Sequence, residues 1–167
     1  MVLNLKGFLN GGNRVIDINT TLDFTNEEFS GVRLFAKPTA VVGKVVNKAD
    51  VTELSLVCSV TINKPCDRCG KETVKKLQIS INRILVSELS DDDNDDLLLI
   101  ENDQLDLYEV CFSEILLALP MKHLCSEDCK GICPSCGKNL NEGGCGCVAK
   151  SVDPRLEALL ELLEAED

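Results

Sequence analysis

The chain has 167 residues, 44% of them hydrophobic, with one Tyr, no Trp and a formal net charge of -11 at pH 7. This length allows one ordinary domain with a small appendage. The acidic balance argues against simple nonspecific binding of nucleic acid. No apolar run approaches the roughly 20 residues of a membrane-spanning helix, so we expect a soluble cytoplasmic protein.

The first half of the chain carries strand patterns. They are weak over 15–18 and short and β-like over 32–46. The clearest strand is predicted over 53–62, where apolar residues occupy every even position from residue 54, and a second runs over about 74–86. A short link joins these two strands, which predicts a long β-hairpin with residues 66–69 at its tip.

One helix is predicted over 107–119. Asp106 and Glu109 are spaced as a variant of the capping box, and Pro120 ends the helix. The segment is apolar nearly all round, which is typical of a buried helix lying across a sheet. The fold class is therefore α+β, an antiparallel β-sheet with a long hairpin, packed by a buried helix.

Eight of the ten cysteines form four close pairs. They are Cys66 and Cys69, Cys125 and Cys129, Cys133 and Cys136, and Cys145 and Cys147. A thiolate pair separated by one to three residues can hold one metal ion, and two pairs complete the tetrahedral sulfur site that structural zinc prefers. Four pairs therefore predict two zinc ions, in a hairpin knuckle and a small zinc ribbon-like appendage.

Three other chemistries are open to these cysteines. Disulfides need an oxidising compartment, and the first residues lack the long apolar stretch of a secretory signal. A catalytic dithiol needs one exposed C-x-x-C at the start of a helix in a βαβ unit, which the surrounding sequence does not resemble. An iron–sulfur cluster is the minor alternative, since the same thiolates suit it.

Two further features complete the pattern. Cys58 and Cys111 lie in apolar segments and are expected to be small buried hydrophobes. Asp153 and Pro154 begin a predicted C-terminal amphipathic helix with leucines at helical spacing. Its leucine stripe is expected to pack on the main domain, with binding to a partner as the alternative.

Positive charge is concentrated around the cysteines. Residues 64–76 and 120–150 together carry nine basic and five acidic side chains, a net charge of +4, while the remainder carries -15. Since four thiolates on one Zn²⁺ leave a formal charge of -2, we expect the basic residues to offset the charge of the metal sites, to contact RNA, or to do both.

The cysteine-rich sequence resembles the YceD family, also called large ribosomal RNA subunit accumulation proteins. The quoted strings are Cys66-Asp-Arg-Cys69, Ile115-Leu-Leu-Ala-Leu-Pro120, Asp128-Cys-Lys-Gly-Ile-Cys-Pro-Ser-Cys-Gly-Lys-Asn-Leu-Asn-Glu-Gly-Gly-Cys-Gly-Cys147 and Asp153-Pro-Arg155. The resemblance covers the chain well from about residue 51. It implies a role in large-subunit ribosomal RNA accumulation, and hence in ribosome biogenesis, in bacteria or plastids.

The resemblance also guides the pairing of the cysteines. Many members of the family keep the hairpin C-x-R-C and lack the later C-P-x-C and C-x-C, which implies that the last four cysteines form a separate metal site. Site one is therefore expected to join Cys66 and Cys69 to Cys125 and Cys129. Site two is expected to join the last four cysteines, Cys133, Cys136, Cys145 and Cys147.

These features predict a non-enzymatic zinc-binding factor in large ribosomal subunit biogenesis, with no small-molecule substrate and no membrane partner. Its expected partner is large-subunit ribosomal RNA precursor, a basic ribosomal protein, or both. The alternatives are an acidic adaptor or chaperone for a basic ribosomal protein and a redox-responsive zinc-thiolate protein. The expected domains are an α+β sheet domain at 1–120, a cysteine-rich zinc-binding segment at 121–150 and a helix at 151–167.

The expected partner contacts surround site one. They are Arg68, Lys71, Lys75, Lys76, Lys122, His123 and Lys130. His123 is the single histidine, and we expect it to be a local hydrogen-bonding or phosphate-contacting group rather than a catalytic base.

Overall fold

A computed structural model describes residues 1–8, 14–29, 31–49, 51–88 and 96–147. These residues are mostly β-structure with one α-helix, so the α+β class is confirmed. The strands are β1 (Val2–Asn4), β2 (Arg14–Leu22), β3 (Glu28–Phe29), β4 (Val32–Arg33), β5 (Thr39–Lys48), β6 (Val51–Pro65), β7 (Glu72–Val86), β8 (Leu97–Leu99) and β9 (Gln104–Asp106). The helix α1 spans Leu107–Ala118, and a 3₁₀ helix spans Leu140–Glu142.

The main sheet has five strands in the order β2-β5-β6-β7-β8. The predicted hairpin is confirmed: β6 and β7 pair antiparallel from Thr52 opposite Leu85 to Pro65 opposite Glu72. Even-numbered residues of β6 from 52 to 62 are buried, as the alternation predicted. The predicted antiparallel pairing is confirmed for β2, β5, β6 and β7, whereas the edge strand β8 joins β7 in parallel.

Helix α1 begins where its cap predicted. The carboxylate of Asp106 accepts a hydrogen bond from the backbone N–H of Tyr108, which satisfies one of the free donors of the first turn. Leu119 is extended, with φ -64° and ψ 135°, as expected for a residue before proline. Burial on all sides was wrong: the helix buries one stripe, Leu107, Cys111 and Ile115, while Leu117 is 81% exposed.

The helix packs on the sheet through the core and one ion pair. Phe24 lies against Tyr108 and Phe112 of α1, with ring centroids 4.8 and 5.5 Å apart. Arg83 of β7 donates from Nε and Nη2 to the two carboxylate oxygens of Glu114, at 2.8 and 2.7 Å. This two-point contact fixes the helix along its axis as well as against the sheet. Cys58 and Cys111 are buried in the same core, as predicted.

Gly43 is the position in β5 where the neighbouring strand comes closest. A Cβ atom there would lie 2.1 Å from the carbonyl oxygen of Ser55 and 2.7 Å from the Cα of Leu56. We expect Gly43→Ala to lower the free energy of unfolding by about 1–3 kcal/mol, because the backbone of β5 or β6 must move. Denaturant unfolding followed by Tyr108 fluorescence measures this.

The control for that substitution is Val42→Ala on the same strand. Val42 is 52% exposed, so its truncation should change stability by less than about 0.5 kcal/mol. Equal losses in the two variants would contradict the steric explanation.

Two units are distinguishable in the chain. Unit 1 comprises Met1–Pro65 and Glu72–His123, and unit 2 comprises Cys66–Lys71 and Leu124–Asp167. The predicted divisions at residues 120 and 150 stay predictions, and the predicted helix at 151–167 lies outside the described residues. Among the described residues, no helix is both long and apolar enough to cross a membrane.

Candidate metal centres

The eight paired cysteines of unit 2 come together as two groups of four. In each group, one sulfur from every cysteine lies within 4.8 Å of the other three. The groups have the predicted membership. Site one is Cys66, Cys69, Cys125 and Cys129, and site two is Cys133, Cys136, Cys145 and Cys147.

The sulfur spacing in site one suits a single ion. Cys66 Sγ lies 3.8 Å from Cys129 Sγ, and Cys69 Sγ lies 3.6 Å from Cys125 Sγ. Four sulfurs at about 2.3 Å from a tetrahedral Zn²⁺ would lie about 3.8 Å apart. A disulfide requires about 2.05 Å, and all ten cysteines are free. A cluster of several irons would push the four sulfurs farther apart, so the geometry favours one ion in each site.

Two identical turns supply half of the ligands. Cys66–Lys71 and Cys133–Lys138 both read Cys-x-x-Cys-Gly-Lys. In each turn the first cysteine accepts at its carbonyl from the glycine N–H, at 2.9 and 2.8 Å. Its own N–H donates to the lysine carbonyl, also at 2.9 and 2.8 Å. The glycines have φ of +70° and +72°, a conformation that folds the backbone beneath the sulfurs and disfavours other residues.

The turns also point backbone N–H groups at sulfur. Burial raises the pKa of the Cys66 thiol, but N–H groups of Cys125, Arg68 and Cys69 donate to its sulfur, and the resulting pKa is about 6. N–H groups of Cys136 and Ser135 likewise lower the pKa of Cys133 to about 6. In each site, therefore, one thiol has a pKa low enough to favour the thiolate at neutral pH, and the thiolate is the form that binds metal.

Other cysteines in the same groups hold their protons more tightly. The pKa of Cys69 is about 12. The N–H of Lys71 lowers it, but burial and hydrogen bonds with three neighbouring thiols outweigh that effect. Hydrogen bonds with Cys136 and Cys145 raise the pKa of Cys147 to about 12. A divalent cation displaces such protons, so metal binding by these groups would release protons.

The two sites differ in enclosure. In site one, Cys66 and Cys129 are buried and the other two cysteines are half-buried. In site two, Cys133 alone is buried, while Cys136 and Cys147 are exposed. A chelator or oxidant in solution can therefore reach the sulfurs of site two more easily.

One residue at site one has no direct signal in the sequence. Asn141, in the 3₁₀ helix, places its side-chain Nδ2 3.4 Å from Cys129 Sγ. Its neighbour Asn139 caps that helix by accepting the backbone N–H of Asn141. The Asn-x-Asn spacing between two cysteine pairs could have indicated a capped turn, but not its contact with a ligand of the other site.

The predicted contact residues are divided between the units. Arg68, Lys71 and Lys130 belong to unit 2, and Lys75, Lys76, Lys122 and His123 belong to unit 1. Arg68 is not simply a free cation, since its Nη1 donates to the carbonyl of Cys129 at 2.9 Å. All of the lysines in the set are exposed except Lys75, which is half-buried.

His123 is the member of that set whose surroundings differ most. Its ring is 4% exposed and its Nε2 lies 2.6 Å from the Thr73 hydroxyl. A ring in this position is a local hydrogen-bonding group, which is one of the two roles expected of it.

An apolar groove of about 330 Å³ lies beside His123 within unit 1. Phe29, Leu116, Leu119 and Met121 are among its lining residues. Phe29 is 48% exposed and Met121 is 99% exposed, so the groove opens onto an apolar patch. Such patches on a protein surface commonly mark contacts with other macromolecules.

Comparison with known proteins identifies the family. A model of the family described as large ribosomal RNA subunit accumulation protein YceD matches residues 54–163. The chain belongs to the YceD family. Its matched region includes both turns and all eight paired cysteines.

Three relatives that match this YceD-family chain are each named as an uncharacterized protein. Protein YlbN of Bacillus subtilis is 31% identical over 132 residues, which are 78% of this chain and 77% of that protein. Proteins Rv2926c of Mycobacterium tuberculosis and Mb2951c of Mycobacterium bovis are each 28% identical over 105 residues, 60% of this chain and 50% of each relative. No solved structure matches the chain.

Proposed function

We propose that this chain is a non-enzymatic, zinc-binding factor in the biogenesis of the large ribosomal subunit. The observation that carries the proposal is the pair of all-cysteine tetrads in a member of a family described by large ribosomal RNA accumulation. The two zinc ions would be held by the eight cysteines of sites one and two. Zinc suits these donors because it prefers four sulfur ligands in tetrahedral structural sites.

The donor set also supports a structural role for the metal. Catalytic zinc usually keeps three protein ligands and leaves a fourth position for water or substrate. Four cysteine ligands fill every position, so a metal in either site could not activate a water molecule. What zinc supplies here is stability for unit 2, in which Cys129, Gly131 and Cys133 are the only buried residues between 124 and 147.

The charge pattern supports an RNA partner. Lys71 and Lys130 of unit 2 and Lys76 and Lys122 of unit 1 are exposed, in a molecule whose remaining charge is strongly negative. Such a chain would approach phosphate through its lysines while its acidic surface limits binding elsewhere. The expected partner is precursor RNA of the large subunit.

The test is a strain of the source organism that lacks the gene. We expect mature large-subunit ribosomal RNA to fall relative to small-subunit RNA. Incomplete large-subunit particles, which sediment more slowly than complete subunits, should accumulate. Expression of the wild-type chain should restore the ratio. An unchanged ratio and unchanged gradient profiles in the deletion strain would contradict the proposal.

A second candidate is an adaptor for a basic ribosomal protein. The apolar groove around Phe29 and Met121 favours it, because an apolar anchor and an acidic surface together suit a basic protein. Crosslinkers placed at positions 121 and 76 test this candidate in cells. Recovery of one basic ribosomal protein from position 121, without RNA from position 76, would favour the adaptor over direct RNA contact.

A further inference from the structure

The loop between the two ligand pairs of site two folds back onto site one. The backbone N–H of Leu140 donates to the carbonyl of Gly131 at 2.9 Å. Asn139 Oδ1 accepts the backbone N–H of Asn141 at 3.0 Å and so caps the 3₁₀ helix. These bonds carry a residue from the middle of the site-two loop to the turn that follows Cys129.

The side chain of Asn141 is held in one orientation there. Its Oδ1 accepts the backbone N–H of Lys130 at 2.8 Å. Its Nδ2 lies 2.8 Å from Asn139 Oδ1 and 3.4 Å from Cys129 Sγ. Because Lys130 presents a donor and Asn139 an acceptor, the amide cannot be reversed, and an N–H group must face the sulfur.

A donor in this position acts on a metal ligand. Four cysteine thiolates around Zn²⁺ leave a formal charge of -2, and an N–H directed at one sulfur stabilises that charge. Residues that hydrogen-bond to metal ligands typically change metal affinity by about 10- to 100-fold when they are removed. Asn141 is such a residue for site one, although it lies in the loop of site two.

The position of Asn141 depends on closure of its loop. No residue between Cys136 and Cys145 is buried, so no hydrophobic core holds this segment in place. The loop is fixed by its hydrogen bonds and by the cysteines at its two ends. A metal shared by those cysteines would remove most of the conformations in which Asn141 is far from Cys129.

We propose that the two metal sites are coupled, with metal in site two positioning Asn141 to stabilise metal in site one. This inference rests on the proposed zinc sites and adds that the last four cysteines are not an independent unit. The coupling is reciprocal, so metal in site one also stabilises the loop of site two.

The experiment measures zinc release from the purified full chain to an excess of a colorimetric chelator. Single-site proteins, Cys66→Ser/Cys69→Ser and Cys145→Ser/Cys147→Ser, assign the release phases to the two sites. We expect Asn141→Ala to accelerate release from site one by about 10- to 100-fold. Cys145→Ser/Cys147→Ser should accelerate it similarly, and adding Asn141→Ala to that variant should have little further effect.

A control variant and a spectrum separate this role from loosening of the loop. Lys138→Ala removes a contact with the Gly144 carbonyl in the same loop but none with site one, so release from site one should be unchanged. In the cobalt-substituted chain, Asn141→Ala should shift the sulfur-to-metal charge-transfer band, because one sulfur loses its donor.

Three results would overturn the coupling. The first is an equal rate of zinc release from site one with and without the cysteines of site two. The second is a double variant whose release rate rises by the product of the two separate increases. The third is a Lys138→Ala variant that releases zinc from site one as fast as Asn141→Ala does. A chain that binds no zinc would refute the zinc proposal as well. All of these readouts use purified protein, so they are separate from the ribosomal test.

Discussion

Replacing Cys66 and Cys69 with serine is expected to reduce the zinc content from two ions to one and to destabilise the whole chain. These cysteines lie in the link between β6 and β7, and site one joins them to cysteines 56 and 63 positions away in the sequence. In site two, the two cysteine pairs are separated by only nine positions, from Cys136 to Cys145. The larger loop makes closure at site one worth about 1.6 kcal/mol more in chain entropy.

The single tyrosine makes this effect measurable in unit 1. Tyr108 packs against Phe24 in the core, and the chain has no Trp, so its fluorescence reports unfolding of the sheet domain. Denaturant titration should show a lower midpoint for Cys66→Ser/Cys69→Ser than for the matched variant Cys145→Ser/Cys147→Ser. Equal midpoints, with one zinc retained in each variant, would contradict a special architectural role for site one.

Reversing the charge of three exposed lysines is expected to weaken association with large-subunit precursors. The variant is Lys71→Glu, Lys76→Glu and Lys122→Glu, which leaves Arg68 and its bond to the Cys129 carbonyl in place. If each lysine contacts one phosphate of single-stranded RNA, the slope of log K against log salt should shrink by about 2. Binding assays on precursor RNA at several salt concentrations measure this, with co-sedimentation in cell extracts as the second readout.

The matched control has the same change in net charge at other exposed lysines. Lys6→Glu, Lys44→Glu and Lys48→Glu lie outside the proposed contact set. This variant should keep most of the affinity and salt dependence, and both variants should retain two zinc ions. If the two variants bind precursor RNA equally, the basic residues near the cysteines only offset the thiolate charge, and the groove at Met121 becomes the better candidate surface.

Local sequence signals account for the elements that were predicted well. The hairpin of β6 and β7 follows from strict alternation over long strands, and the start of α1 follows from the cap at Asp106. Strands of two or three residues are too short to show an alternation of apolar and polar residues. The pairs β1 with β9 and β7 with β8 each involve only three residues per strand, so their pairing is determined by tertiary packing.

The grouping of the cysteines was predictable for a different reason. Close cysteine pairs restrict the possible ligands, and the family resemblance indicated which pairs belong together. The contact between Asn141 and Cys129 was not predictable, because it depends on how a polar loop folds over a neighbouring turn. Burial of His123 was also not predictable, since the residues around it show no alternation or helical spacing of apolar side chains.

The wide separation of the site-one ligands has a consequence for synthesis of the chain. The ribosome synthesises Cys125 56 residues after Cys69. At translation rates of about 5–20 residues per second, the first two thiols wait roughly 3–11 s for their partners. During that interval the nascent hairpin exposes only two of the four thiols, so the complete four-sulfur group cannot form until Cys125 and Cys129 have been made.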